Sequence, residues 1–164
     1  MIGKPAATLS AVTLDARFAA ALSPASAADR DAAIEDLLQE ADLRPSASPI
    51  SSSDYRLRLA YESHRLTLEL RDAEAQLVAR HLLSLTPFKQ PLRAYYALCA
   101  AYEQRVRSDP PGRIETLDRA RRHQHDALAE LLRERLDGKL DMGHDTARRL
   151  MTLISSLFND TDLI

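Results

Sequence analysis

The residues with the most chemical potential fall on one predicted helix and at the head of the next. Arg121, Gln124 and His125 stand at i, i+3 and i+4 of a helical run, and Arg148 follows in a second run. At about 100° per residue, Ile114, Leu117, Ala120, Ala127, Leu128 and Leu131 define an apolar face with Gln124 at its centre. Arg121 and His125 lie together along one flank, beside Leu132. An arginine and a histidine one turn apart can grip a phosphate or a carboxylate. A glutamine facing inward must be hydrogen-bonded or must face a cleft. Arg148 and Arg149 read as first-turn residues of the last helix, where arginines can join free N–H groups in holding an anion. Each residue has a plainer reading. Arg121 can lay its stem along the apolar edge, Gln124 can bond a neighbouring loop, and acids elsewhere in the fold can pair Arg148 and Arg149. Arg122 has Asp118 and Asp126 four residues to either side, the spacing of helical ion pairs.

Other chemistries find little support. His123 and His125 point about 200° apart on a helix and cannot chelate one ion. His64, His81 and His144 are scattered without a diagnostic carboxylate spacing, so no metal site is expected. Cys99 shares an apolar stripe with Leu92, Tyr95 and Tyr96, which marks it as core rather than a reactive thiolate. Tyr95, Tyr96 and Tyr102, at helical spacing, are expected as interior packing with hydroxyls reaching the edge. The chain has no Gly-x-Ser-x-Gly elbow, and its four glycines leave no cradle for a nucleotide. No cofactor is expected.

The elements that must position these residues follow from periodicity. Leu9, Val12 and Leu14 mark a short strand over 9–14. Ser26 with Asp29 resembles a capping box, after which Ile34, Leu37, Leu38 and Ala41 form an amphipathic helix that ends before Pro45. The Ser/Pro-rich segment 45–53 is read as a flexible surface loop without phosphate-binding logic. Tyr55, Leu57, Leu59 and Tyr61 alternate with polar residues or alanine, as do Leu66, Leu68 and Leu70, and a third run spans about 76–83. With short breaks at 62–64 and 72–74, these form an antiparallel meander with one wet face. On that face Arg56 and Arg58 opposite Glu69 and Arg71 give ordinary solvated pairing. A helix starts near Pro91 and runs to Val106, and Asp109-Pro110-Pro111-Gly112 breaks it. The next spans Ile114 to Asp137 with Gly138 closing it. After Asp145, the expected N-cap, Ala147, Leu150, Met151, Ile154, Leu157 and Phe158 form the cleanest stripe in the chain. The fold class is α+β: a three- to four-stranded antiparallel sheet with about four helices, mostly packed on one face. No internal repeat is found.

At 164 residues and 45% hydrophobic, the chain has the size and apolar content of one domain over 1–164. A net charge of −2 leaves no global footprint for nucleic acid or anionic lipid. The single cysteine rules out an intrachain disulfide and suits a reducing compartment. Phe18 to Leu22 with Ala25-Ser26-Ala27 resembles a signal-peptide tail, but Asp15 and Arg17 interrupt the apolar region it needs. No stretch approaches the roughly 20 apolar residues of a membrane span. A cytoplasmic protein is expected, away from the membrane.

Several stretches resemble an alphaproteobacterial family catalogued as uncharacterised protein family 0262. They are Leu83 to Phe88, Arg121-Arg122 with His125, Glu134-Arg135-Leu136 with Gly138-Lys139, and Asp145 to Leu150 with Thr152-Leu153-Ile154. Val12 to Asp15 resembles that family's opening strand. The resemblance covers most of the chain, implies a bacterial cytoplasmic protein and supplies no reaction. There are departures. Members carry a glycine and an apolar residue between the arginine pair and the histidine, then Asn-Glu-Gly. Here those positions are His123 and Gln124, then Asp126-Ala127-Leu128, and Pro91 replaces a residue usually polar or aliphatic. If that block is the family's working part, this chain carries an altered one.

Nothing in the sequence assembles a nucleophile, a base and an oxyanion donor. The leading expectation is a non-enzymatic adaptor or regulatory module that presents a helical surface to a protein partner, with self-association left open and nucleic acid not expected. The alternative is a binding protein or enzyme for a phosphorylated small molecule or RNA, using Arg121, Gln124, His125 and Arg148. It requires those residues to converge.

Overall fold

The computed structural model describes residues 8–19, 24–47, 54–108 and 111–158. In chain order the elements are β1 (Thr8–Leu14), α1 (Ala16–Ala19), α2 (Pro24–Gln39), β2 (Leu43–Pro45), β3 (Asp54–Glu62), β4 (Arg65–Arg71) and β5 (Leu77–Ser84). A 3₁₀ turn (Thr86–Phe88) then leads into α3 (Lys89–Ser108), α4 (Pro111–Leu136), β6 (Leu140–Met142) and α5 (His144–Leu157). The α+β class holds. Four strands form one sheet in the order β1-β3-β4-β5, and α2 to α5 supply the helical layer.

Alternation fixes which face is inside. Tyr55, Leu57 and Leu59 on β3 and Leu66, Leu68 and Leu70 on β4 are buried, each such side chain contributing about 1.5–3 kcal/mol. Register aligns them: Leu57 opposite Leu70, Leu59 opposite Leu68, then Leu66 opposite Leu83 on β5. Their partners in the core come from Leu37 of α2, Leu92 of α3, Leu128 and Leu132 of α4, and every apolar position of the α5 stripe. The β3–β4 connection is a two-residue turn in which Ser63 and His64 both take positive φ, 52° and 63°, as the right-handed twist of a hairpin requires.

Four features depart from the sequence expectation. First, the sheet is not wholly antiparallel, because β1 runs parallel to β3. Alternation carries no strand direction; the intervening α2 supplies the crossover that a parallel pair needs. Second, β2 and β6 form a separate antiparallel pair, Leu43 opposite Met142 and Pro45 opposite Leu140. Strands of three residues are too short to show a period, and Pro45 is tolerated at such an edge. Third, α2 begins at Pro24, so Ser26 lies inside its first turn rather than capping it. Fourth, α5 begins at His144 with Gly143 as N-cap. Asp145 is therefore a first-turn acid, and Arg148 and Arg149 fall in the second turn.

α3 starts at Lys89, two residues before Pro91, and α4 starts at Pro111 rather than Ile114. Gly138, at φ +79°, closes α4 as expected. Of the loop 45–53, Pro45 ends β2 and residues 48–53 lie outside the described set. Among the described residues, no helix is long and apolar enough to cross a membrane.

Candidate functional site

All four of the residues that the sequence singles out lie on α4 and α5: His125 and Arg148 face the seam between those two helices, whereas Arg121 and Gln124 face α3. The buried face of α4 is His125, Leu128, Ala129, Leu132 and Leu136. His125, expected on a flank, therefore sits on the buried face itself. Ala120 and Ala127, taken as apolar markers, are exposed; alanine fits either side of a helix and does not fix its rotation. His125 Nε2 lies 2.9 Å from Thr152 Oγ1. The same hydroxyl lies 3.0 Å from Arg148 O, so it stands between the imidazole and the backbone of α5. The Tyr95 ring packs beside the imidazole, centroids 5.4 Å apart. Burial, reinforced by the charge of Arg148, holds His125 below the usual imidazole range.

The other three polar side chains also have partners within the protein. Gln124 Nε2 donates to Pro91 O at 3.0 Å, stapling α4 to α3. Arg121 pairs with Asp118, whose carboxyl is held below its ordinary value by that bond. Its guanidinium stands over the Tyr102 ring, 4.4 Å from the centroid. Arg148 Nε is 2.8 Å from Asp126 Oδ1, and Arg149 donates to Glu40 O at 2.9 Å. Arg122 pairs with Asp118 at 3.1 Å. Asp126, expected beside Arg122, instead faces Arg148 and, at 3.7 Å, His144 Nε2. His144 Nδ1 in turn lies 2.6 Å from Glu130. Tyr96 ties α3 to the end of α5, its hydroxyl 2.7 Å from Ser155 O and 3.0 Å from Phe158 O.

Two adjoining depressions open on this seam. The larger, about 630 Å³, is walled by Tyr95, Tyr96, Tyr102, Cys99 and Arg121 with acids of α2 and α3. The smaller, about 210 Å³, is walled by His125, Asp145, Arg148 and Arg149, and Asp36 and Thr152 line both. Cys99 and the three tyrosines, expected as interior packing, are only half-buried. The reason is that the α3 stripe outruns its cover: Leu92 is buried while Val106 is exposed. Burial pushes both the Cys99 thiol and the Tyr95 phenol up, so neither is ionised near neutrality.

The outer face of the four-stranded sheet differs. Register places Arg58 opposite Glu69, and Glu69 opposite Arg80. Glu69 lies 4.0 Å from Arg58, 3.7 Å from Arg71 and 3.8 Å from Arg80. Arg56 stands directly opposite Arg71 and has no carboxylate within ion-pair distance among the described residues. Three guanidiniums thus share one carboxylate, and a fourth stands beside them without one. Ala60, Thr67 and Leu82 form the adjacent row. The face ends at β5, an edge strand on which Leu77, Val78 and Leu82 are exposed. Alternation placed Arg56, Arg58, Glu69 and Arg71 on this face; the convergence of Arg80 depends on the β4–β5 register, which alternation alone does not fix.

The model of the uncharacterised protein family UPF0262 matches residues 6–159. A UPF0262 protein of Xanthobacter autotrophicus is 38% identical, covering 94% of this chain and 93% of its own length. Counterparts in Erythrobacter litoralis and Phenylobacterium zucineum are 41% and 40% identical, over 79% and 91% of this chain and 82% and 91% of their own lengths. No solved structure matches the chain.

Proposed function

The chain belongs to the uncharacterised protein family UPF0262, and from its surfaces we propose that it is a non-enzymatic protein-interaction module, an adaptor or regulatory subunit. The observation that carries this reading is the outer sheet face, where an edge strand that no described element covers, bearing exposed Leu77, Val78 and Leu82, adjoins arginines that outnumber their described acid partners. A long open edge with apolar side chains is a template for pairing with another chain. The docking surface in this reading is the sheet rather than the helices. The lone Cys99 suits a cytoplasmic setting, and one domain suffices for the role.

A photo-crosslinking residue at Leu82, with one at the exposed Val106 of α3 as control, tests the proposal in intact cells. A discrete protein adduct from position 82 and none from 106 is the expected result. Silence at 82 would remove the reading.

A second reading, a binding site for a phosphorylated small molecule, draws on one observation. Arg121, His125 and Arg148 converge on adjoining depressions, and Arg121 Nε is buried there with no hydrogen-bond partner among the described residues. A panel of phosphorylated metabolites tests it by melting temperature, since a ligand at 100 times its Kd adds about 2.7 kcal/mol of stability.

A further inference from the structure

Rows across the sheet are set by register. One outer-face row runs Arg58 on β3, Glu69 on β4 and Arg80 on β5, alternating in sign; the next runs Ala60, Thr67 and Leu82, without charge. Among the described residues both rows stop at β5, whose eight residues from Leu77 to Ser84 pair on one side only. A strand added at that edge would place one side chain opposite Arg80 and, two residues along on the same face, another opposite Leu82. A carboxylate in the first position continues the alternation of charge, and an apolar residue in the second covers the exposed leucine.

We infer that the partner docks by adding an extended acidic strand to the free edge of β5, its carboxylate opposite Arg80 and an apolar residue two positions away over Leu82. This rests on the interaction reading above and names the partner's chemistry. Of the arginines on this face Arg80 stands on β5 itself, and it already shares Glu69 with Arg71 of β4 and Arg58 of β3. Pairing through main-chain hydrogen bonds, with alternate side chains reading the sequence, is an established recognition mode.

Two other occupants fit less well. A second copy of this chain, paired antiparallel about Arg80, would set Arg80 directly against the copy's own Arg80, like against like; paired about His81, it would set Arg80 against Leu82 and leave the charge unmatched. A single-stranded nucleic acid needs aromatic rings on which bases stack, and the outer positions of the described strands carry none.

The test uses the full chain and three probes: an octapeptide alternating Glu and Val, its Lys–Val counterpart, and an oligouridylate, each followed by shifts of the backbone amides. The Glu–Val peptide should move β5 amides and leave α5 unmoved, with affinity falling as salt rises. Arg80→Glu should weaken it about fivefold and favour the Lys–Val peptide instead. Equal binding of both peptides, binding of the oligouridylate alone, or no binding by any probe would overturn the inference. So would a concentration-dependent dimer abolished by Leu82→Lys. If the Leu82 crosslink persists while the peptides show no preference, the acidic strand fails and the interaction surface stands. If the crosslink is silent, the underlying reading has failed.

Discussion

The helical seam around His125 and the open sheet face around Glu69 contain the same kinds of side chain and dispose of charge in opposite ways. Around the seam, Arg121 meets Asp118, Arg148 meets Asp126, Arg149 meets Glu40 and Gln124 meets a backbone carbonyl. On the sheet, Arg58, Arg71 and Arg80 share one acid and Arg56 faces Arg71. Arg148 and Arg149 reach acids outside their own helix and so tie elements of the fold together, while Arg121 is held by an acid of its own helix. Arginines in excess on a face that no described element covers have no such architectural role, and an excess of one sign is what complements a partner. The residues that looked most chemical in the sequence are thus the ones most engaged with the rest of the protein.

If that contrast is real, stability should divide between the two regions. His125→Ala removes a buried ring that packs on Tyr95 and bonds Thr152, and should cost about 2–4 kcal/mol by urea denaturation. Arg58→Ala, on the sheet, should stay within about 0.5 kcal/mol of wild type. Equal losses would erase the distinction. Tyr96→Phe is a finer probe of the helical side. It deletes only the hydroxyl shared between Ser155 O and Phe158 O, and should cost about 1–2 kcal/mol.

Acid sharpens the comparison. His125 is held below its unfolded value of 6.5, so between the two values the unfolded chain binds a proton that the folded chain refuses. Stability rises with pH wherever the unfolded state holds more protons. The contribution of His125 is therefore intact above pH 6.5 and declines as pH falls toward the folded value. The stability advantage of wild type over His125→Gln should shrink steadily from pH 7 to pH 5. A pH-independent difference would mean that the imidazole is not kept neutral by the seam.

How much of this was legible depends on the length over which a pattern repeats. The α5 stripe and the β3–β4 alternation span many residues and each fixes a buried face, so Leu150, Ile154, Leu57 and Leu68 lie where periodicity put them. The three-residue strands β2 and β6 carry no repeat, and the direction of β1 is set by a crossover rather than by its own side chains. On α4, the need of Gln124 for a partner was legible; that His125 bonds Thr152, 27 residues away, was not, because it depends on how α4 and α5 are rotated against one another. The exposed alanines misled on that rotation. On the sheet, the alternating arginines were visible, and their excess over acid was read as ordinary solvation because the acid they share is counted only when β5 is in register.

The smallest effect bears most directly on the sheet. Arg56 stands opposite Arg71, and like charges directly across an antiparallel pair are destabilising. Arg56→Thr removes that repulsion and installs a β-branched residue suited to a strand. It should raise stability by a few tenths of a kcal/mol, up to about 1, seen as a higher urea midpoint at low salt that converges on wild type at about 0.5 M salt. Arg80→Thr should show no such gain, because Arg80 lies against Glu69 rather than against another arginine. A gain confined to Arg56 means that the fold tolerates a strained charge on this face, which is the behaviour of a residue kept for something outside the chain. A loss at Arg56 would instead make the cluster part of the folded structure's own support, and the sheet face would then resemble the seam.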